Sequence, residues 1–292
     1  MTTNALDRIR ALPLWTGKVE PRPLAGGITN SNFLVEDGGA RFVVRLGEDI
    51  PAHNVMRFNE RAASLAAERA GVSPALRHFE PGLIVIDYIE ARTFTEQDVR
   101  DHLPRVAELI RRAHREVTRE IRGPALAFWT FHILRSYVHA LRERGHRLAG
   151  DLPRYARVAE RLEATLGPTE IVFGHNDLLP GNFLDDGDRL WLIDWDYGGF
   201  NTPLFDLGGL ASNNGFSPAQ RDELLAIYYG RAPDDRLRLR LQAMLVASLL
   251  REALWSMVSE SESTIDFDYQ AYTAENLARF ERALAEFAAM AG

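Results

Sequence analysis

The stretch G-H-N-D-L-L-P-G-N-F-L-D-D-G-D-R-L-W-L-I-D-W-D, Gly174 to Asp196, carries the chemistry from which this chain is read. Asp177 stands in a loop-forming run, Asn182 follows five residues later, and Asp194 ends the apolar run Leu190-Trp191-Leu192-Ile193. Pro180 and Gly181 shape the turn between the first two. This spacing suits phosphoryl transfer. One loop carboxylate takes a hydroxyl proton, an amide oxygen on the same loop faces Mg²⁺, and a hard carboxylate oxygen after the next hairpin faces it too. Such chemistry asks mainly for positioning and charge neutralisation, and these groups offer both. Asp177 is therefore expected as the catalytic base, with Asn182 and Asp194 as Mg²⁺ ligands.

Upstream lie the parts that would hold a nucleotide. Phe33-Leu34-Val35 and Arg41 to Leu46 flank Glu36-Asp37-Gly38-Gly39, a hairpin signal. Before them, G-G-I-T-N-S-N (Gly26 to Asn32) has the small residues that let backbone N–H groups approach phosphates, although an ordinary hairpin turn has the same composition. Gly27, Thr29, Asn30, Ser31 and Asn32 are the candidate phosphate contacts. Arg45 ends the third strand, where kinases usually keep a Lys paired with a helix Glu, and its guanidinium can fork onto phosphate oxygens. Glu60, on an apolar-periodic helix over 54–70, is its natural partner.

Leu83-Ile84-Val85-Ile86 reads as a buried strand, after which strand texture gives way to helices. This shift marks a hinge at residues 87–91, where Asp87 and Ile89 would meet adenine through their main chain. Two lobes follow: 1–87, sheet-rich and nucleotide-binding, and 88–292, mainly helical with the catalytic loop and acceptor-binding helices. The fold class is α+β, a bilobal protein-kinase-like fold with an antiparallel sheet in the first lobe. Helices are expected over 4–16, 95–120, 128–146, 151–166, 203–214, 218–229, 234–260 and 269–289, and a short strand over 171–173.

Composition narrows the partners. At 292 residues with 46% hydrophobic and 26% charged residues, the chain is ordinary for a globular protein. A net charge of −7 argues against nucleic acid and is compatible with a cationic substrate. The absence of cysteine excludes disulfides and thiolate chemistry and fits a reducing cytoplasm. The first residues have no apolar signal core, and the longest apolar stretch, Ala243 to Leu250 with Ser248 inside it, is far too short to span a bilayer, so a cytoplasmic protein without membrane insertion is expected. Oligomeric state is not readable. His175 and His114 read as structural histidines. No A-P-E motif follows Asp194, so a peptide substrate has no platform and a small alcohol fits better.

Several segments together resemble the choline/ethanolamine kinase family, of the bacterial choline kinase type, within the wider aminoglycoside-phosphotransferase-like kinases. They are G-G-I-T-N-S-N-F (26–33), F-V-V-R-L (42–46), G-H-N-D-L-L-P-G-N (174–182), L-I-D-W-D-Y (192–197) and P-L-F-D-L-G (203–208). The pieces A-L-W-S-M-V (253–258) and I-D-F-D-Y-Q-A-Y (265–272) resemble the choline-kinase tail. The resemblance implies ATP and Mg²⁺ as cofactors and a small amino alcohol, choline or ethanolamine, as substrate. It also implies that Asp206 orients the catalytic loop, and that a cationic head group is held by aromatic faces and carboxylates. Trp255 and Glu252, one helical turn apart, are the foremost candidates, with Asp196, Tyr197, Asn213 and Tyr269 behind them, and then Phe200 and Asp266. Where many choline kinases carry a second Trp, this chain has Glu252, and a carboxylate there suits an amine that can donate hydrogen bonds. Rival readings are an aminoglycoside, thiamine or sugar-alcohol kinase and an inactive nucleotide-binding pseudokinase.

Overall fold

A computed structural model describes the chain apart from Met1, Ala25 to Thr29, Thr264 and Asp266. The expectations for Gly27, Thr29 and Asp266 lie outside the described residues.

Five strands form an antiparallel sheet in the order β1-β2-β3-β5-β4: β1 (Arg22–Leu24), β2 (Ser31–Asp37), β3 (Ala40–Leu46), β4 (Leu76–Glu80) and β5 (Leu83–Asp87). The β2–β3 hairpin turns at Gly38 and Gly39, whose φ of 57° and 82° favour glycine, and this register sets Asn32 opposite Arg45. Alternation puts Phe33, Val35, Val44, Leu83 and Val85 on one face, where they form a core with Ile9, Leu12 and Val19. Ile9 belongs to α1 (Thr2–Arg10). The helix expected to run to residue 16 stops at Arg10, because Pro13 disfavours helical geometry before it and has no N–H to donate. Helix α2 (Arg57–Arg69) instead buries Ala63, Ala66 and Ala67 in a second, much larger core.

That second core is built mostly from the chain after β5. The helices are α3 (Glu96–Asp101), α4 (Leu103–Glu120), α5 (Thr130–Glu143), α6 (Leu152–Leu166), α7 (Pro203–Asn213), α8 (Pro218–Tyr229), α9 (Asp235–Glu262) and α10 (Tyr269–Ala291). Short strands β6 (Arg92–Thr93), β7 (Val172–Gly174), β8 (Phe183–Asp185), β9 (Leu190–Leu192) and β10 (Gly199–Asn201) form two small sheets, β6-β8-β9 and β10-β7. The single helix expected over 95–120 is two, α3 and α4. Pro104 cannot donate back to the preceding turn, and His102 leaves helical geometry at φ −112°, ψ 24°. Ser217 and Gln220 form the capping box that starts α8, and Asp234 caps α9.

Helix α9 is the axis of the larger core. By length and composition it could cross a membrane, yet 89% of its apolar 18-residue window is buried inside the protein, as in a core helix. Helix α7 lies directly on it: a Cβ at Gly208 would stand 2.6 Å from the Leu245 backbone nitrogen. This close approach fixes α9 against the helix that follows the Asp177 loop and β10.

Candidate active site

Strand β7 delivers the chain to the loop that carries Asp177, and β10 pairs with it antiparallel, Gly174 opposite Gly199. The loop is held from behind by Asp206 at the start of α7. Its carboxylate accepts from the backbone N–H groups of His175 and Asn176, each at 2.7 Å, and contacts His114 Nε2 at 2.8 Å. Burial opposes its ionisation, but the His114 hydrogen bond and the other donors hold the Asp206 carboxyl below the usual range. His175 is buried with Nε2 2.9 Å from the Ile193 carbonyl, tying the loop to the Asp194 turn.

Asn176, not singled out from sequence, is the loop's other fastener. It takes a left-handed φ of 65° and donates to the Tyr197 carbonyl at 2.9 Å, while its Oδ1 accepts from Asn201. Asp194 is also left-handed, at φ 69°, a conformation that Asn and Asp tolerate better than most residues. Asn182 donates Nδ2 to the Asp177 carbonyl at 2.9 Å, and its own carbonyl accepts from Ile193 N–H at 3.0 Å. One continuous set of bonds thus links Asp177, Asn182 and the turn that carries Asp194.

The opposite wall comes from the sheet and α2. Arg45 Nη1 reaches Glu60 Oε1 at 3.0 Å, Asp194 Oδ1 at 2.8 Å and Asp196 Oδ1 at 3.0 Å. Arg57, absent from the sequence expectations, adds a second cation: its Nη1 reaches Glu60 Oε2 at 2.6 Å and Asp196 Oδ1 at 2.9 Å. Its spacing of three from Glu60 is the available signal. Asn30 closes the cluster, donating to Asp196 Oδ2 at 2.8 Å and accepting from Arg57 Nη2 at 3.1 Å. Three carboxylates face two guanidiniums. Burial, together with Asp196, pushes Glu60 up; burial acts on Asp196 too, but Arg45 and Arg57 hold it down.

This cluster corrects the assignment of Asp196 to the acceptor pocket. The residue is 3% exposed and both its oxygens are taken by Arg45, Arg57 and Asn30. At the end of β5, Asp87 has no backbone N–H to offer a ligand, since it is bonded to the Ala75 carbonyl, and its carboxylate holds Arg77. Ile89 follows just beyond, and Ser31 and Asn32 open β2 opposite Leu46 and Arg45.

On the far side of Asp177 a small polar cleft is lined by Asn213 and Gly209 of α7 and by Ser248, Arg251 and Glu252 of α9. Burial pushes the Asp177 carboxyl up to about 8, Arg251 opposing and Glu252 adding. Glu252 lines the cleft, accepting from Arg251 Nη1 at 2.7 Å and from the Tyr272 hydroxyl at 2.8 Å. Four expected pocket aromatics stand outside this lining. Trp255 packs against His53, Tyr269 and Tyr272, with ring centroids 5.2, 6.0 and 6.4 Å away. Tyr269 turns its hydroxyl to Ser263 at 2.8 Å. Tyr197 is covered by Arg251, whose guanidinium carbon lies 4.4 Å from the ring centroid. Phe200 packs edge-on against Phe173 in the β7–β10 sheet. A helical stripe identifies which residues leave the polar face, but these rings are claimed by neighbours far away in sequence. Arg251 has one legible signal: with Glu252 it forms a charged pair inside the otherwise mostly apolar second half of α9.

A strand Arg tied to a helix Glu, facing a loop Asp with an Asn and a second Asp beyond it, defines a phosphotransferase of the protein-kinase-like class. Comparison with known proteins agrees: the phosphotransferase enzyme family model matches residues 20–241, and the chain belongs to this family. Protein LicA of Haemophilus influenzae is 28% identical over 212 residues, 70% of this chain and 61% of that protein. The chain thus spans less than two thirds of that relative's length. Ethanolamine kinase 2 of Mus musculus is 28% identical over 306 residues, 92% of this chain and 78% of that protein. Among solved structures, a choline/ethanolamine kinase family protein from Mesorhizobium loti superposes with a TM-score of 0.80 at 28% identity, covering 99% of this chain and 97% of that one.

Proposed function

We propose that this protein transfers the γ-phosphoryl group of ATP to the hydroxyl of a small amino alcohol of the choline and ethanolamine kind. The observation that carries the reading is the bonded set Asp177–Asn182–Asp194 facing Arg45 and Glu60 across one cleft. The names of the relatives, ethanolamine kinase and choline/ethanolamine kinase, support the acceptor class.

In this reading the acceptor hydroxyl donates its hydrogen bond to Asp177. The hydroxyl oxygen bonds to the γ-phosphorus, the bond from that phosphorus to the β–γ bridging oxygen breaks, ADP leaves, and the proton passes to Asp177. Burial raises the affinity of this carboxylate for the proton it takes as the bond forms. Arg45 binds phosphate oxygens, held in place by Glu60, and Gly27, Thr29, Asn30, Ser31 and Asn32 are the further phosphate contacts in this reading. Asp87, through its carbonyl, and Ile89 meet the adenine edge. Glu252 and Asn213 line the acceptor side.

The donor set fits Mg²⁺. Asp194 offers a carboxylate that is 28% exposed, and the Asn182 amide, fixed through Nδ2, leaves its oxygen for a ligand. Mg²⁺ is held in this way, by one or two protein oxygens plus substrate phosphates. Bound there, it would neutralise charge developing on the phosphates. We assign residues 1–87 and 88–292 to the two lobes, with α2 of the first burying its alanines in the core of the second, and place the protein in the cytoplasm.

The test is a panel. Purified protein with Mg·ATP is offered ethanolamine, choline, thiamine and kanamycin, and phosphorylated product is measured. Turnover with an amino alcohol supports the reading. Turnover confined to kanamycin or thiamine, or ATP binding without any turnover, refutes it.

A further inference from the structure

Arg251 stands in the wall of the Asp177 cleft yet has no part in the transfer just described. It is an unusual residue for its place. Leu249, Leu250, Ala253 and Leu254 around it are all buried, and Arg251 itself is only 4% exposed. A charge buried this deeply has to be paired. Its Nη1 donates to Glu252 Oε2 at 2.7 Å and lies 4.0 Å from Asp177 Oδ1. Its Nε and Nη2 meet no hydrogen-bond acceptor among the described residues. They lie instead beside rings, with the guanidinium carbon 4.4 Å from the Tyr197 centroid and 5.6 Å from that of Phe128. Aromatic faces on one side and carboxylates on the other are what a substrate cation would require. In this protein a side chain already occupies that position.

We propose that Arg251 is the specificity-determining residue of the acceptor site, a resident cation that makes the enzyme favour alcohols bearing a primary or secondary amine over those bearing a quaternary ammonium. The proposal rests on the amino-alcohol reading and deepens it. A trimethylammonium group has no N–H to donate, so it depends on open aromatic faces. The Tyr197 face is covered by Arg251, and the Trp255 ring is packed against His53 and Tyr269. A primary ammonium has three N–H donors and needs only oxygens. Glu252, Asn213 and Ser248 present them in the cleft. Beside one guanidinium, Glu252 and the neutral oxygens of Asn213 and Ser248 offer a small cation hydrogen bonds in place of rings.

The experiment compares kcat/KM for ethanolamine and choline, with Mg·ATP, in the wild type and in Arg251→Leu and Arg251→Gln. The wild type is expected to prefer ethanolamine by at least ~10-fold, since a site built on hydrogen bonds discriminates strongly against a head group that cannot make them. Either variant uncovers the Tyr197 face and releases Glu252, so the choline-to-ethanolamine ratio should rise by at least ~10-fold. A structural role for Arg251 would lower both substrates alike and leave the ratio unmoved, and that result overturns the proposal. A wild type that prefers choline overturns it without any variant. Turnover of neither amine refutes the amino-alcohol reading itself, and this proposal falls with it.

Discussion

Arg45 Nη1 lies 2.8 Å from Asp194 Oδ1, joining the third strand of the sheet to the turn after β9. The same nitrogen holds Glu60 and Asp196, so one guanidinium ties the sheet, α2 and the catalytic segment together. Arg45→Ala leaves three neighbouring carboxylates with Arg57 as their remaining cation. Loss of one partner from a buried ionic cluster costs about 3–5 kcal/mol. A denaturant titration should show that loss, and the KM for ATP should rise by at least ~10-fold, as expected where a charge-assisted phosphate contact is removed. An unchanged KM would separate Arg45 from nucleotide binding.

Asp206 serves three donors at once, two of them backbone N–H groups of the catalytic loop. In Asp206→Ala those donors stay buried and unpaired, at roughly 1–3 kcal/mol each. The expected outcome is a melting temperature lowered by many degrees, together with a fall in kcat, since the loop loses its anchor. Wild-type stability would mean that the loop is held by other bonds.

His53 predicts a pH dependence of stability. It is buried between Tyr137 (Nδ1 to hydroxyl, 3.1 Å) and Ser259 (Nε2 to Oγ, 3.0 Å), beside the Trp255 ring. Burial, with the Arg251 and Arg144 cations adding, pushes its pKa down to about 3. Above pH 6.5 neither the folded nor the unfolded form is protonated there, and nothing is lost. As pH falls through 6.5, the unfolded chain takes up a proton that the folded chain refuses, so stability drops. At pH 5 the loss from this one residue is about 2 kcal/mol. Urea titrations at pH 7.5 and pH 5 should show a shallower pH dependence in His53→Gln than in the wild type by that amount. Equal slopes would contradict the assignment.

Gly208 tests the seam between α7 and α9. A Cβ there would lie 2.6 Å from the Leu245 nitrogen and 2.8 Å from the Met244 carbonyl carbon, both backbone atoms that cannot rotate away. Gly208→Ala should destabilise by about 2–3 kcal/mol through overpacking. Calorimetry giving an unchanged or higher melting temperature would show that the two helices can separate freely.

Much of this architecture is legible in the sequence because its signals are local. The hairpin at Gly38-Gly39, the Ser217 cap and the run of helices after residue 88 are each written in a few adjacent residues. So is the spacing of Asp177, Asn182 and Asp194. The features that sequence reading misplaces depend on three-dimensional neighbours. Asp196 follows Asp194 by two residues and reads as an acceptor contact, yet in the fold it belongs to Arg45, Arg57 and Asn30. Helical spacing makes Trp255 a pocket wall, but His53, Tyr269 and Tyr272, none of them on α9, claim its ring. Strand β4 carries a bulge between Leu76 and His78 and lacks clean alternation, so periodicity passes over it. The break between α3 and α4 is marked by Pro104, a signal that the surrounding helical pattern outweighs.

The central claim is that Asp177 takes the acceptor's proton during phosphoryl transfer from ATP. The most direct measurement is steady-state turnover of Asp177→Asn with the best amino-alcohol substrate of the wild type, with ATP binding followed in parallel. Removal of a general base should cut kcat by ~10²-fold or more while ATP affinity stays close to wild type. Turnover equal to that of the wild type would contradict the account.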